Sequence, residues 1–487
     1  MLALERKKYP IVIFHPELHA EPVQAFNALP KTGLWRAGRT HVTAPAGGQK
    51  QPPRRATAYP GPASSSSSVP AVDFVAAGPG PAGRDHPSMG RPSSPPQAEI
   101  RSPLWALPEE LLLLICSYLD ARALGRLGQT CRRLFRFTCR DVLWRRLARL
   151  CLNAGFSALG ADLVLGVPVK ERVKVSQNWR LGRCRRIPLL RWKRNLMPWM
   201  QLDGDYLYLS QAEDIHLYWL HPKDTNLLWY PRTVFSGHRE DVCRFVVDNG
   251  HIISGGGDGN IAFHKLNGSF SFKILGHQQE VNCVDCQESI IVSGSRDRTA
   301  KVWSLLSGRD GQCLHTIQTE DRVWSIAISP LLSSFVTGTA CCGHNSPLRV
   351  WDLGSGQLIT CLGTDFHRGA GVLDVFYETP STLLSCGYDT YIRYWDLRTS
   401  TKECVKKWEE PHDSALYCIR SNGNHMIASG SSYYGVVRLW DKRQTRCLQS
   451  FSLSSPISSP VYCLRFSTTH LYATLASALY VLDFTTS

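Results

Sequence analysis

Residues 292–303 read VSGSRDRTAKVW. Apolar and polar residues alternate on both sides of the polar turn Ser295-Arg296-Asp297, as in two half-buried strands joined by a hairpin. A hairpin alone does not decide a fold, but its recurrence does. Segments that finish on a similar strand are AEDIHLYWL, GGDGNIAFHKL, SRDRTAKVWSL, NSPLRVWDL, YDTYIRYWDL, YYGVVRLWDK and SALYVLDF. Aligned on Leu217, Phe263, Trp303, Trp351, Trp395, Trp440 and Leu482, they return every 40–48 residues. Several short strands per repeat at that period predict a propeller, and seven repeats can be counted. One repeat has too little core to stand alone, so neighbouring blades must cover one another. The outer strand of the final blade is expected from RWKRNLMPWM (191–200), which would close the ring and remove its free edges.

Outside residues 196–487 the chain changes character twice. Residues 1–101 are dominated by Pro, Gly, Ser and Ala, as in PPRRATAYPGPASSSSSVPAV, and are expected to be disordered because they cannot bury enough surface to offset their ordering entropy. Few acidic residues leave a transit peptide as a second reading, without a clear amphipathic helix to support it. Residues 102–153 are helical in pattern: Leu107, Leu111, Ile115 and Leu119 recur at four-residue steps. Pro108 suits a first helical turn, Glu109 and Glu110 complement its dipole, and Asp120 can cap a second helix. Residues 154–195 read as a basic, partly helical connector.

The totals narrow the class. The net charge of +15 is concentrated in residues 101–199, which carry +14, against −4 over residues 200–487. A basic segment suggests nucleic acid, yet its arginines alternate with leucines (LWRRLARL, 143–150), as on the wet face of a packed helix. The 17 cysteines are odd in number and scattered singly, which fits reduced thiols in cytosol or nucleus. No apolar run reaches the roughly 18–20 residues of a membrane helix, and the start lacks the features of a secretory signal.

The repeats resemble WD-repeat propellers. The resemblance implies that His277, Ser293, Asp297 and Trp303 form a hydrogen-bonded tetrad inside the third blade, with Asp297 as its brace. The second repeat keeps His238, Ser254 and Asp258 but has Phe263 in place of Trp, and later repeats lose the Gly-His pair or replace it, as in PHD (411–413). The segment LPEELLLLICSYLD, followed by RALGRLGQTCRRLFRFTCRDVLW, resembles an F-box. An F-box followed by seven WD repeats is the pattern of substrate receptors in cullin-RING ubiquitin ligases; SQNWRLGRC (176–184) and WDLRTS (395–400) point to one branch of that family. The expected fold is therefore an all-β seven-bladed WD-repeat propeller, preceded by a small all-α F-box and a disordered N-terminal segment.

That resemblance implies that Leu107, Pro108, Leu111, Leu112, Ile115, Leu119, Leu143 and Trp144 dock on the Skp adaptor, with cullin and RING subunits beyond it. A 50-residue leucine-rich bundle with surplus apolar surface points the same way; the alternative is a private core. At the upper mouth of the propeller, phosphodegron-reading relatives place arginines where this chain has Cys243, Asn282, Trp324, Leu373, Tyr417 and Tyr462. Arg296 alone remains, read equally as a ligand contact or as a solvated Arg. Trp324, Tyr388, Tyr417 and Tyr462 form either an aromatic ring for an apolar protein target or a channel filling.

Other signals carry no chemistry. CCGH (341–344) offers too few ligands for a metal, and Cys283 and Cys286 face opposite sides of a strand. Lys301, Arg349, Arg393 and Arg438 recur two residues before each Trp, as propeller strands often have it, and are not a nucleic-acid stripe. No phosphate loop, nucleophile elbow or HExxH is present, so no cofactor and no catalysis are expected. The expectation is a monomeric, non-catalytic receptor without membrane or nucleic-acid partners. A scaffold without ligase output and an anion binder using residues 170–194 are the competing readings.

Overall fold

The computed structural model describes residues 107–151, 167–220, 230–268, 271–305, 311–343, 345–411, 414–423, 425–454 and 458–485. Strand pairing builds seven four-stranded antiparallel sheets, one per repeat. The seven aligned positions, from Leu217 to Leu482, all fall in the third strand of a blade. Cores are shared between blades: Val292 and Val302 of blade three pack with Val323, Phe335 and Trp351 of blade four. That sharing is what a chain of individually unstable repeats requires.

The ring closes with a strand contributed from before the first blade, but not with the segment expected. Arg185–Arg191 pairs antiparallel with Ala478–Asp483, from Arg185 opposite Asp483 to Arg191 opposite Ala478. The propeller thus begins inside the stretch read as a connector, eleven residues earlier than the boundary at 196. RRIPLLR turns Ile187, Leu189 and Leu190 toward the core of the first and last blades. Beyond Arg191 the chain leaves the sheet, held by Trp192 N–H and Leu196 N–H donating to the carbonyls of Ser477 and Ala476.

The helical module contains α1 (Glu109–Ser117), α2 (Ala121–Thr130), α3 (Arg132–Thr138) and α4 (Asp141–Cys151). Asp120 caps α2 as its position suggested, accepting from Ala123 N–H at 2.7 Å. Leu112, Cys116, Leu124, Leu134, Phe137, Leu143 and Trp144 are buried, and Trp144 Nε1 donates to the Thr138 carbonyl at 2.6 Å. A fifth helix, α5 (Val169–Leu181), is the strut between module and ring. At one end Val169 N–H donates to Asp141 Oδ1 (3.0 Å); at the other Asn178 Nδ2 donates to the Phe484 carbonyl (2.8 Å) and Trp179 stacks on Phe484 with centroids 3.5 Å apart. Gly182 ends α5 in the left-handed region (φ 66°), and a Cβ there would meet the Gln449 side chain.

Candidate functional site

The turn that opened the sequence reading is a brace. His277 Nε2 lies 2.8 Å from Ser293 Oγ, and His277 Nδ1 lies 3.0 Å from Asp297 Oδ2. Trp303 Nε1 donates to Ser293 Oγ at 2.9 Å. Because Trp only donates, the Ser293 hydroxyl proton is directed to His277 Nε2, and Nδ1–H is left for Asp297. Asp297 also accepts from the Gln278 and Thr299 N–H groups, and Arg298 beside it takes φ 67°. Burial alone would raise the Asp297 carboxyl; the bonds from His277 and Thr299 outweigh it and hold the group well below the usual carboxylate range. His277, Ser293, Asp297 and Trp303 thus form one connected chain of hydrogen bonds.

The upper mouth owes its geometry to a feature no residue pattern announced. In blades two to seven the innermost strand carries a register shift at its second residue, namely Cys243, Asn282, Trp324, Leu373, Tyr417 and Tyr462. A bulged residue is released from the ladder and its side chain re-aimed. The four aromatics expected there do come together in pairs: Trp324 and Tyr388 edge to face at 5.3 Å, Tyr417 and Tyr462 tilted at 5.9 Å. All four are half-buried. Gly371 makes room, since a Cβ there would lie 2.6 Å from Trp324 Cζ3. The Tyr462 hydroxyl is buried with no hydrogen-bond partner among the described residues, and burial pushes its pKa up. Such a group is a donor awaiting an acceptor.

Arg296 sits at the same face but is engaged: its Nη1 pairs with Glu280 at 2.9 Å. An acidic ligand must displace that carboxylate. Tyr433 and Tyr434, in the matching turn of blade six, stand exposed and edge to face at 5.1 Å. They escaped the sequence reading, although SSYYG occupies the turn position where blade three has Arg296 and Asp297.

On the helical module the leucine stripe faces outward. Leu111, Leu114, Ile115 and Tyr118 are 46%, 54%, 48% and 74% exposed. They lie at i, i+3, i+4 and i+7, one face of α1 and the turn after it. Leu114 and Tyr118 were missed; counting from Leu111 at helical spacing finds both. Of the other docking candidates, Leu107 and Leu119 are half-buried and Pro108 is exposed, whereas Leu112, Leu143 and Trp144 are buried within the module. The structure therefore separates a surface set from a core set. Two basic residues of the connector lie over aromatic rings: Lys170 over Phe135 and Trp144, and Arg186 over Phe451. Of the CCGH segment, His344 lies outside the described residues.

Comparison with known proteins agrees with this division. The F-box-like family matches residues 104–150, and the WD domain, G-beta repeat family matches residues 268–304, 356–396 and 402–441. The chain is 68% identical over 352 residues to human F-box/WD repeat-containing protein 4, covering 72% of this chain and 84% of that one. The mouse protein of the same name is 70% identical over 336 residues, covering 69% and 82%. This is the dactylin-type branch to which SQNWRLGRC and WDLRTS pointed. Among solved structures, the WD40 β-propeller domain of Doa1 superposes with a TM-score of 0.50 at 21% identity, over 61% of this chain and 95% of that domain, a likeness of fold alone.

Proposed function

The chain belongs to the F-box/WD-repeat proteins, and from that premise we propose that it is a substrate receptor of an SCF-type ubiquitin ligase. In this reading the outward face of α1 docks on the Skp adaptor, which joins it to the cullin and RING subunits. The upper mouth of the propeller captures a protein target, and α5 fixes the distance between them. The contribution to catalysis is proximity: two partners are held within reach, and the chain itself makes no bonds.

The observation that carries this reading is the stripe Leu111–Leu114–Ile115–Tyr118, a contiguous apolar face left uncovered on a module whose core is already filled by other residues. The upper mouth supplies the second half: aromatic anchors, the buried Tyr462 hydroxyl and one arginine held by a displaceable carboxylate. This chemistry suits an apolar or aromatic degron with a single acceptor better than a doubly phosphorylated one.

The test is co-purification of adaptor, cullin and target from cells. Leu111→Glu/Ile115→Glu abolishes recovery of adaptor and cullin while target capture persists. Trp324→Ala, and the milder Tyr462→Phe, reduce target capture while adaptor binding is unchanged. Undiminished cullin recovery by the α1 double variant rules out the docking face, and full target capture by both mouth variants rules out the upper mouth.

A further inference from the structure

The opposite end of the channel has the reverse chemistry. There Arg244, Arg420 and Arg465, from three innermost strands, converge on one indole: their guanidinium carbons lie 4.0, 5.4 and 4.8 Å from the ring centroid of Trp199. Asp374 pairs with two of them, Oδ1 to Arg244 Nη2 at 2.9 Å and Oδ2 to Arg420 Nη1 at 2.6 Å. Arg465 donates to the Leu464 carbonyl, and no carboxylate pairs with it among the described residues. Asp285 is the second acid at this level. Burial pushes it up to about 6, and its oxygens accept from the Ile328 and Cys286 N–H groups. With Asp248, which lines the cavity beside them, three carboxylates face these three arginines together with Arg172 and Arg180 on its wall, so positive charge remains in excess. Burial, and then Arg420 and Arg244, pull Arg465 down to about 10, as crowding among like charges requires.

These three arginines open into a cavity of about 900 Å³ between the lower rim of the propeller and α5. Its walls include Trp199, Phe376, Met426 and Phe466, with Val175 and Trp179 from α5. A volume of this size, apolar walls and a few convergent charged groups are the features of a small-molecule site. A guanidinium offers a planar fork of donors matched to phosphate oxygens. Asp374 occupies donors of two arginines and leaves the third, so an incoming anion meets donors that no side chain already holds.

We propose that the lower channel of this propeller is a binding site for a small organic phosphate, its anionic head on Arg465 with support from Arg244 and Arg420, and its planar or apolar body against Trp199, Phe376 and Phe466. The site lies at the end of the channel away from the target mouth, and α5, which carries the helical module, forms part of its wall. It does not depend on the ligase reading: Arg465 touches neither the adaptor face nor the upper mouth.

Calorimetric titration of the full-length chain tests this with inorganic phosphate, adenosine 5′-monophosphate and adenosine as probes. Phosphate and the nucleotide bind saturably at one site, the nucleotide at least about tenfold tighter, and adenosine does not bind. Arg465→Met weakens both anions at least about tenfold, and Arg194→Met, on the exposed chain after the closing strand, changes neither. On the unaltered protein, hydrogen exchange in the presence of phosphate slows at residues 244–248, 420–422 and 465–467 and not at the upper mouth. This arm reads the site even if the Arg465 variant does not fold. Absence of saturable phosphate binding, equal loss in the Arg194 variant, no loss in the Arg465 variant, or protection confined to the upper mouth overturns the proposal. So does a phosphoserine peptide that binds tighter than the nucleotide, since it would assign the cavity to a protein ligand.

Discussion

In blade three the upper turn is tied down by a relay without a permanent cation, His277 between Ser293 and Asp297, and the Trp303 indole joins from below. In blade six the same indole bond persists, Trp440 Nε1 to Ser429 Oγ at 2.8 Å, but the rest is an ion pair: Arg438 Nε to Glu410 at 2.5 Å and Arg438 Nη1 to Ser450 Oγ at 3.0 Å. Blades four and five follow blade six. Arg349 pairs with Glu320 at 2.7 Å, Arg393 pairs with Asp389, and Trp351 and Trp395 bond Thr337 and Ser385. The inner half of the brace is common to these blades and the outer half is interchangeable. What the architecture demands is that buried polar groups beside the turn be satisfied, by whichever partners are at hand.

The two chemistries should fail differently. Glu410→Ala leaves Arg438 buried without its carboxylate and costs about 3–5 kcal/mol of unfolding free energy by urea denaturation. The paired change Glu410→Gln/Arg438→Met recovers most of it, because replacing both charges removes the orphan. A loss below about 1 kcal/mol from the single change would mean that the ion pair does not brace the blade. His277→Ala in blade three costs about 2 kcal/mol, the penalty for an unsatisfied buried acceptor and hydroxyl rather than for a stranded charge. Trp303→Phe removes one bond and costs about 1 kcal/mol, a change that blade two tolerates naturally with Phe263 stacked on Phe272 at 4.3 Å.

Acid should loosen the braces of blades two and three. Burial raises the Asp258 and Asp297 carboxyls, but bonds from Asn260 and His238, and from His277 and Thr299, win and hold both well below the usual range. A depressed folded-state pKa contributes stability above the unfolded value of about 4, and that contribution is lost as the pH falls below it. The urea midpoint is therefore expected to drop as the pH falls below about 4, and Asp297→Asn to flatten that part of the profile; an unchanged slope would contradict the brace. At the small end of the scale, Arg398→Ala breaks only an exposed pair with Asp396 and should leave the midpoint where it was.

The same contrast explains what could be read in advance. Blade three was legible to the residue, because its four polar partners sit at fixed offsets within one repeat. Blades four to six looked weakened, since the Gly-His pair was gone, yet the compensating signal was in view: an Arg two residues before Trp351, Trp395 and Trp440, where blade three has Lys301. Its meaning depended on acids that lie 28–29 residues earlier, Glu320, Asp365 and Glu410, with Asp389 as a second partner of Arg393, and a spacing that long is not part of the local strand pattern. The closing strand was misplaced by a few residues because RRIPLLR and RWKRNLMPWM are both basic and apolar, and only pairing with Ala478–Asp483 distinguishes them. The leucines of α1 were recognised, but which of them face outward was decided by the packing of α1 against α4 rather than by periodicity. The bulges that aim the mouth residues had no signature, since a register shift belongs to two strands at once.

One consequence of the ring closure concerns how the protein is made. The strand Arg185–Arg191 emerges from the ribosome roughly 290 residues before its partner Ala478–Asp483, and throughout that interval its backbone edge and the Trp179 face that stacks on Phe484 are unmatched. The helical module therefore acquires its fixed orientation only once Ala478–Asp483 and Phe484 have been made and have paired. A chain halted within the last blade would carry a finished front end on an unlatched ring, and chaperones would meet that exposed edge before any partner could use it.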